Sequence, residues 1–78
     1  MKRAVTADDL TEPEMELFAN AVDKARSALG SQALHCAPIR DDSNKLCEVR
    51  FYKDSDGRHQ LAVVRVRRDG KLMPLERL

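Results

Sequence analysis

The stretch TEPEMELFANAVDKARSALG, residues 11–30, decides the fold, because it reads as one complete helix with both of its ends marked. Thr11 and Glu14 have the spacing of a capping box. In that motif the threonine hydroxyl accepts from the amide of the glutamate, whose carboxylate reaches back to the threonine amide. Pro13 falls in the first turn, where its missing N–H removes no intrahelical bond. Leu10 and Met15 stand where a hydrophobic staple clamps the entering chain, and Glu12, Glu14 and Glu16 favour the positive end of the helix dipole. Met15, Phe18, Val22, Ala25 and Leu29 then recur at spacings of three and four, an apolar stripe along one face. Ala19, Ala21 and Ala28 widen the stripe with small side chains that allow close approach to a sheet. Gly30 stands where a left-handed C-cap is wanted. The pattern predicts a helix over 12–29.

Past Gly30 the period shortens from 3.6 towards 2, the signature of strands. Residues 32–40 read as a strand, with Pro38 suggesting an edge position. Asp41-Asp42-Ser43-Asn44 is a turn by composition. Residues 46–53 form a strand whose alternate members Cys47, Val49 and Phe51 give one apolar face. A second turn at Asp54–Gly57 leads to a strand over 60–68.

Asp69-Gly70 then reads as a two-residue hairpin turn, since that dipeptide tolerates positive φ at both positions. Placing it at the tip sets Arg68 opposite Lys71. Val66 then faces Met73, Val64 faces Leu75 and Ala62 faces Arg77, all on one side. The other side pairs Arg67 with Leu72, Arg65 with Pro74 and Val63 with Glu76. A slip of one residue would turn every side chain to the wrong face, so this register is a definite expectation. Residues 1–10 are expected to be a loose lead-in. The fold class is therefore α+β: one N-terminal amphipathic helix packed on an antiparallel β-meander of three to four strands, α-β-β-β-β, in a single small domain over residues 1–78.

Size and composition narrow the function classes. Hydrophobic residues make up 42% of the 78 and charged residues 35%, a balance that supports a folded chain rather than a disordered one. No apolar run approaches the roughly 18 residues of a membrane span. Met1-Lys2-Arg3-Ala4-Val5-Thr6 carries basic residues with no hydrophobic stretch behind them, unlike a secretory signal. The expected location is the cytoplasm, with no membrane partner. Net charge is +1 but unevenly spread. Residues 1–44 hold five basic and eight acidic side chains, whereas residues 45–78 hold nine basic and five acidic, so the helix half is acidic and the strand half basic.

Catalytic signals are missing. No serine or cysteine nucleophile comes with a histidine and a carboxylate at a family spacing, and no glycine-rich phosphate loop occurs. His35, Cys36, Cys47 and His59 have no C-x2-C or H-x3-H spacing, so neither a metal nor any other cofactor is expected. Cys36 and Cys47 would lie opposite each other if the first hairpin turned tightly. A chain without a secretory signal belongs to a reducing compartment, and buried free thiols are the preferred reading.

The informative surface is the sheet face that a single helix leaves uncovered. By the register above it carries Glu48, Arg50, Tyr52, Leu61, Val63, Arg65, Arg67, Leu72 and Glu76. Arginine and tyrosine are enriched at binding hot spots, where each combines large contact area with directional hydrogen bonds. Arg50, Tyr52, Arg65, Arg67 and Leu72 are therefore the candidate partner-binding residues. The bland reading is a solvated face of cross-strand Arg–Glu pairs, each contributing ~0.2–1 kcal/mol. The preferred function is a non-enzymatic interaction module that binds a larger protein as a modulator or inhibitor, of the kind that bacteria and phages encode at this size.

Nucleic-acid binding is the rival class. Arg65–Lys71 gathers four cations around a hairpin tip, and Tyr52 would stack a base. A helix followed by three strands resembles the front of a double-stranded-RNA-binding domain, although that family's second helix and lysine cluster do not follow here. Glu48, Asp54, Asp56, Asp69 and Glu76 weigh against a polyanionic partner. A core of this size typically supplies only ~3–5 kcal/mol of net stability. A homodimer pairing sheet faces or edge strands is accordingly a third expectation.

Overall fold

In the computed structural model, which describes residues 1–30 and 35–78, one helix lies on a five-stranded antiparallel sheet. The elements run β1 (Arg3–Ala4), a 3-10 turn (Ala7–Asp9), α1 (Glu12–Leu29), β2 (His35–Arg40), β3 (Leu46–Tyr52), β4 (Gln60–Arg65) and β5 (Glu76–Arg77). The strands are neighbours in chain order, so the sheet is a meander. The α+β reading and the helix bounds of 12–29 both stand. The start of the strand expected at 32–40 lies outside the described residues.

The helix begins as its sequence dictates. Thr11 accepts from the amide of Glu14 at 3.4 Å, and Glu14 Oε1 accepts from the amide of Thr11 at 2.9 Å. At the other end Gly30, at φ +81°, bonds back to the Arg26 carbonyl at 3.0 Å. Arg77 on β5 donates to the Ala28 carbonyl, placing a cation at the negative end of the dipole.

Helix and sheet meet through small residues. Ala21 and Ala25 are fully buried and share a core with Val49, Phe51, Ala62 and Val64. Phe18, Val22 and Leu29 pack around them but stay partly accessible, and Met15 is exposed at 41%. The stripe is correct as a face from Phe18 to Leu29, with Ala19 exposed instead of widening it, and its centre is alanine because alanine lets the helix backbone come close to Phe51. The larger side chains splay along the flanks.

Two departures from expectation meet at Pro38. Residues 1–10 add an edge strand and a 3-10 turn instead of remaining loose, with Arg3 opposite Arg40 and Ala4 opposite Ile39. Pro38 therefore lies one strand in from the edge. Val5 donates to its carbonyl at 3.0 Å. Pro38 has no N–H to return the second bond of that pair, so the ladder stops and β1 is two residues long.

The third departure is the hairpin after β4. Arg67 donates to the Lys71 carbonyl at 2.7 Å, and Gly70 to the Arg67 carbonyl at 3.0 Å. Those bonds close a three-residue loop, Arg68-Asp69-Gly70, in place of the two-residue turn. Gly70 is at φ +84°, while Asp69 is not among the positive-φ residues. This is a type I turn followed by a left-handed residue, a geometry that Asp-Gly serves as well as the two-residue one. The register slips by one near the tip. Val66 pairs with Leu72, and Met73 donates to the Arg65 carbonyl at 2.8 Å. Farther on, Val63 opposite Glu76 and Ala62 opposite Arg77 recover the expected pairs. The extra residue is absorbed at Pro74–Leu75, where proline again has no ladder donor to lose.

The turn between β2 and β3 repeats this geometry. Asp41 donates to Lys45 O at 2.9 Å, Asn44 to Asp41 O at 3.0 Å, and Asn44 holds φ 63°. Cys47 is the extra residue of the bulge beside it, since Ile39 pairs with Glu48 but Arg40 with Leu46. Cys36 meanwhile pairs with Phe51. The two cysteines are thus about 13 Å apart along the strands at ~3.3 Å per residue, too far for a disulfide, and both are free thiols.

Candidate functional site: the uncovered sheet face

Cross-strand register defines what the helix leaves open. One row crosses the sheet through Ala4, Ile39, Glu48, Arg65 and Met73, and the next through Ala37, Arg50, Val63 and Glu76. Ile39 and Val63 lie flush in this face, 1% and 2% exposed, flanked in their rows by longer polar side chains. The face therefore has a thin apolar floor of its own.

Glu48 is the electrostatic centre of the face. Its side chain is 5% exposed, and it accepts from Lys2 Nζ at 2.6 Å and from Arg50 Nε at 3.2 Å. Burial alone pushes this carboxyl up, but the two cationic hydrogen bonds outweigh it and hold the pKa below the ordinary range. Burial likewise works against the charge on Arg50, and Glu48 with the Tyr52 hydroxyl reverses that and raises its pKa. Arg65, half exposed, pairs with Glu76 on the neighbouring strand. The acids and bases of the face are matched to one another.

The five candidate residues separate into two groups. Arg50, Tyr52 and Arg65 share the uncovered face. Arg67 lies beyond the end of β4 at the hairpin turn, 61% exposed and 3.8 Å from Asp69. Leu72 is a correction: it packs against the helix-side core, because the three-residue loop turned the tip by one position and exchanged it with Met73. Met73, expected in the core, is 41% exposed beside Arg65. Leu61 is the bulged residue between the Phe51–Ala62 and Tyr52–Gln60 pairs. Tyr52 and the basic turn at 67–71 lie at opposite ends of the sheet, so the pair invoked for base stacking beside phosphate contacts is not brought together.

Arg40 carries a role the sequence did not reveal. It is 7% exposed and makes a two-pronged ion pair with Glu14, Nη1 to Oε2 at 2.8 Å and Nη2 to Oε1 at 2.9 Å. The same guanidinium donates to the Asn44 carbonyl at 2.9 Å and the Asp9 carbonyl at 2.7 Å. It joins the helix start, the 3-10 turn and the β2–β3 turn. The Arg40 hydrogen bonds hold the Glu14 carboxyl at a pKa of about 2, against an ordinary 4.5. The role is architectural, since every donor named points at the chain itself.

Cys36 and Cys47 both have thiol pKa values raised, by burial first, which makes them poor nucleophiles. His59 pairs with Asp54 at 2.6 Å beside the second turn. Among the described residues no three histidine, cysteine or acidic side chains gather as metal ligands would, and no helix is long and apolar enough to cross a membrane. No protein-family model, curated protein or solved structure matches the chain.

Proposed function

We propose that this chain is a non-enzymatic interaction module of the cytoplasm that docks on a larger protein through its uncovered sheet face and modulates or inhibits it. The observation that carries this reading is Met73 standing exposed beside Arg65 on the face that also holds Arg50 and Tyr52. Methionine is flexible and polarizable and suits a surface that must fit a partner, while arginine and tyrosine supply directional contacts around it. The internal pairing of Glu48 and Arg50 preorganises those contacts at low entropic cost.

The test uses a photo-crosslinking residue at Met73 or, as control, at Lys24 on the helix surface. Crosslinking in the native host should give one discrete protein adduct from position 73 and none from position 24. The double change Arg65→Ala with Met73→Ala should then weaken binding of that protein by at least about tenfold, with the melting temperature unchanged. Adducts from Lys24 alone, or full binding by the double variant, would move the interface off this face.

A further inference from the structure

The cations of the sheet face are paired, and a separate group of cations lies at one end of the molecule. Lys2 and Arg50 are engaged by Glu48, and Arg65 by Glu76. The two three-residue turns, 41–45 and 67–71, project from the same end of the sheet and enclose a cleft. Ser43, Lys45, Arg67 and Arg68 line it, with buried Leu46 among its walls. Among the described residues neither Lys45 nor Arg68 has an ion-pair partner, and Arg67 has only the distant Asp69. Asp41 is the sole acid in the lining, and its Oδ1 is already spent on the amides of Ser43, at 2.9 Å, and Lys45, at 3.1 Å. Lys45, Arg67 and Arg68 outnumber Asp41 and the more distant Asp69, so the cleft keeps a net positive charge.

We infer that this cleft takes an acidic segment of the docked protein, with neighbouring carboxylates seated against Arg67, Arg68 and Lys45. The inference rests on the protein-docking reading above and names the chemistry of the partner. Guanidinium groups bind carboxylates through paired hydrogen bonds, and a cleft with low-dielectric walls strengthens the attraction relative to an open surface. A nucleic acid fits less well. No aromatic side chain lines the cleft to stack a base, whereas a carboxylate needs only the cations that are there. The sheet face and this cleft would then act together, one giving shape and the other giving charge.

The experiment titrates the whole chain with a fluorescent oligoglutamate peptide, with oligoglutamine and oligothymidine of equal length as comparisons. Oligoglutamate should bind at low ionic strength and weaken as salt is added, and oligoglutamine should not bind. The double change Arg67→Gln with Arg68→Gln should reduce oligoglutamate affinity by at least about tenfold at an unchanged melting temperature. Arg65→Ala, on the sheet face, should leave it within about twofold. Absent oligoglutamate binding, equal binding by the double variant, or tighter binding of oligothymidine would each overturn the inference. The titration needs no cellular partner, so its failure is separable from a failure of the crosslinking test, which does not involve the cleft.

Discussion

At the residue scale the Glu14–Arg40 pair does two jobs with one carboxylate. Glu14 Oε1 closes the capping box with Thr11 and also receives Arg40 Nη2, so the helix start is tied to the sheet by the same atom that caps it. A carboxyl whose folded pKa lies below its unfolded value contributes stability that is complete above the unfolded value. That contribution is lost as pH falls through the folded one. For Glu14 the window runs from about 4.5 down to about 2. Stability should therefore decline as pH is lowered across that window, with Glu48 adding to the slope. Glu14→Gln should lower stability at neutral pH and flatten the decline, as denaturant melts at stepped pH would measure. An unchanged slope in Glu14→Gln would mean that the acid limb comes from elsewhere.

The element scale is where the hairpin register decides which apolar side chain serves the core. Leu72→Ala should cost about 2 kcal/mol, the low end of the range for a leucine truncated in a core, because Leu72 packs on the helix-side cluster while keeping some exposure. Met73→Ala should stay within about 0.5 kcal/mol, as surface substitutions do. The two-residue turn makes the opposite prediction, so equilibrium unfolding of the two variants separates the registers directly.

Much of this level was legible in the sequence, and what was not has definite causes. The helix could be read because capping and a three-to-four spacing are local signals carried within 11–30. Strands β3 and β4 could be read because alternation needs only neighbours. The turn could not, because Asp-Gly satisfies two loop lengths and the choice between them lies in the φ of Asp69. β1 could not, because two residues show no period and its pairing depends on Ile39 and Arg40, far along the chain. Of the candidate site, Arg50, Tyr52 and Arg65 were placed by alternation, which survives distance from a turn. Leu72 was lost because it sits within two residues of the tip.

At the scale of the whole molecule, the helix rests on the sheet through Ala21 and Ala25, both fully buried, over Phe51. Such a junction is sensitive in both directions. Phe51→Ala should cost about 3–5 kcal/mol by opening a cavity beneath the helix. Ala21→Leu should cost about 1–3 kcal/mol by forcing the helix away from the sheet. Thermal or denaturant unfolding measures both, and a tolerated Ala21→Leu would show that the helix and sheet are not in close contact there. Losses of this size are large beside the ~3–5 kcal/mol net stability of so small a core.

The prolines that shorten the ladders also govern how the protein behaves in a crowded solution. A sheet grows into a fibril by recruiting strands at its margins, and each margin here is a strand of two residues. Pro38 stands where β1 would otherwise lengthen, and Pro74 where β5 would, so at each margin a residue with no hydrogen to offer interrupts the row of donors that an incoming chain meets. Exchanging either proline for a strand-forming residue would lengthen a front, and with it the tendency of concentrated protein to assemble into cross-β aggregates. The same two residues that spoil the regularity of the fold thus blunt both of its margins.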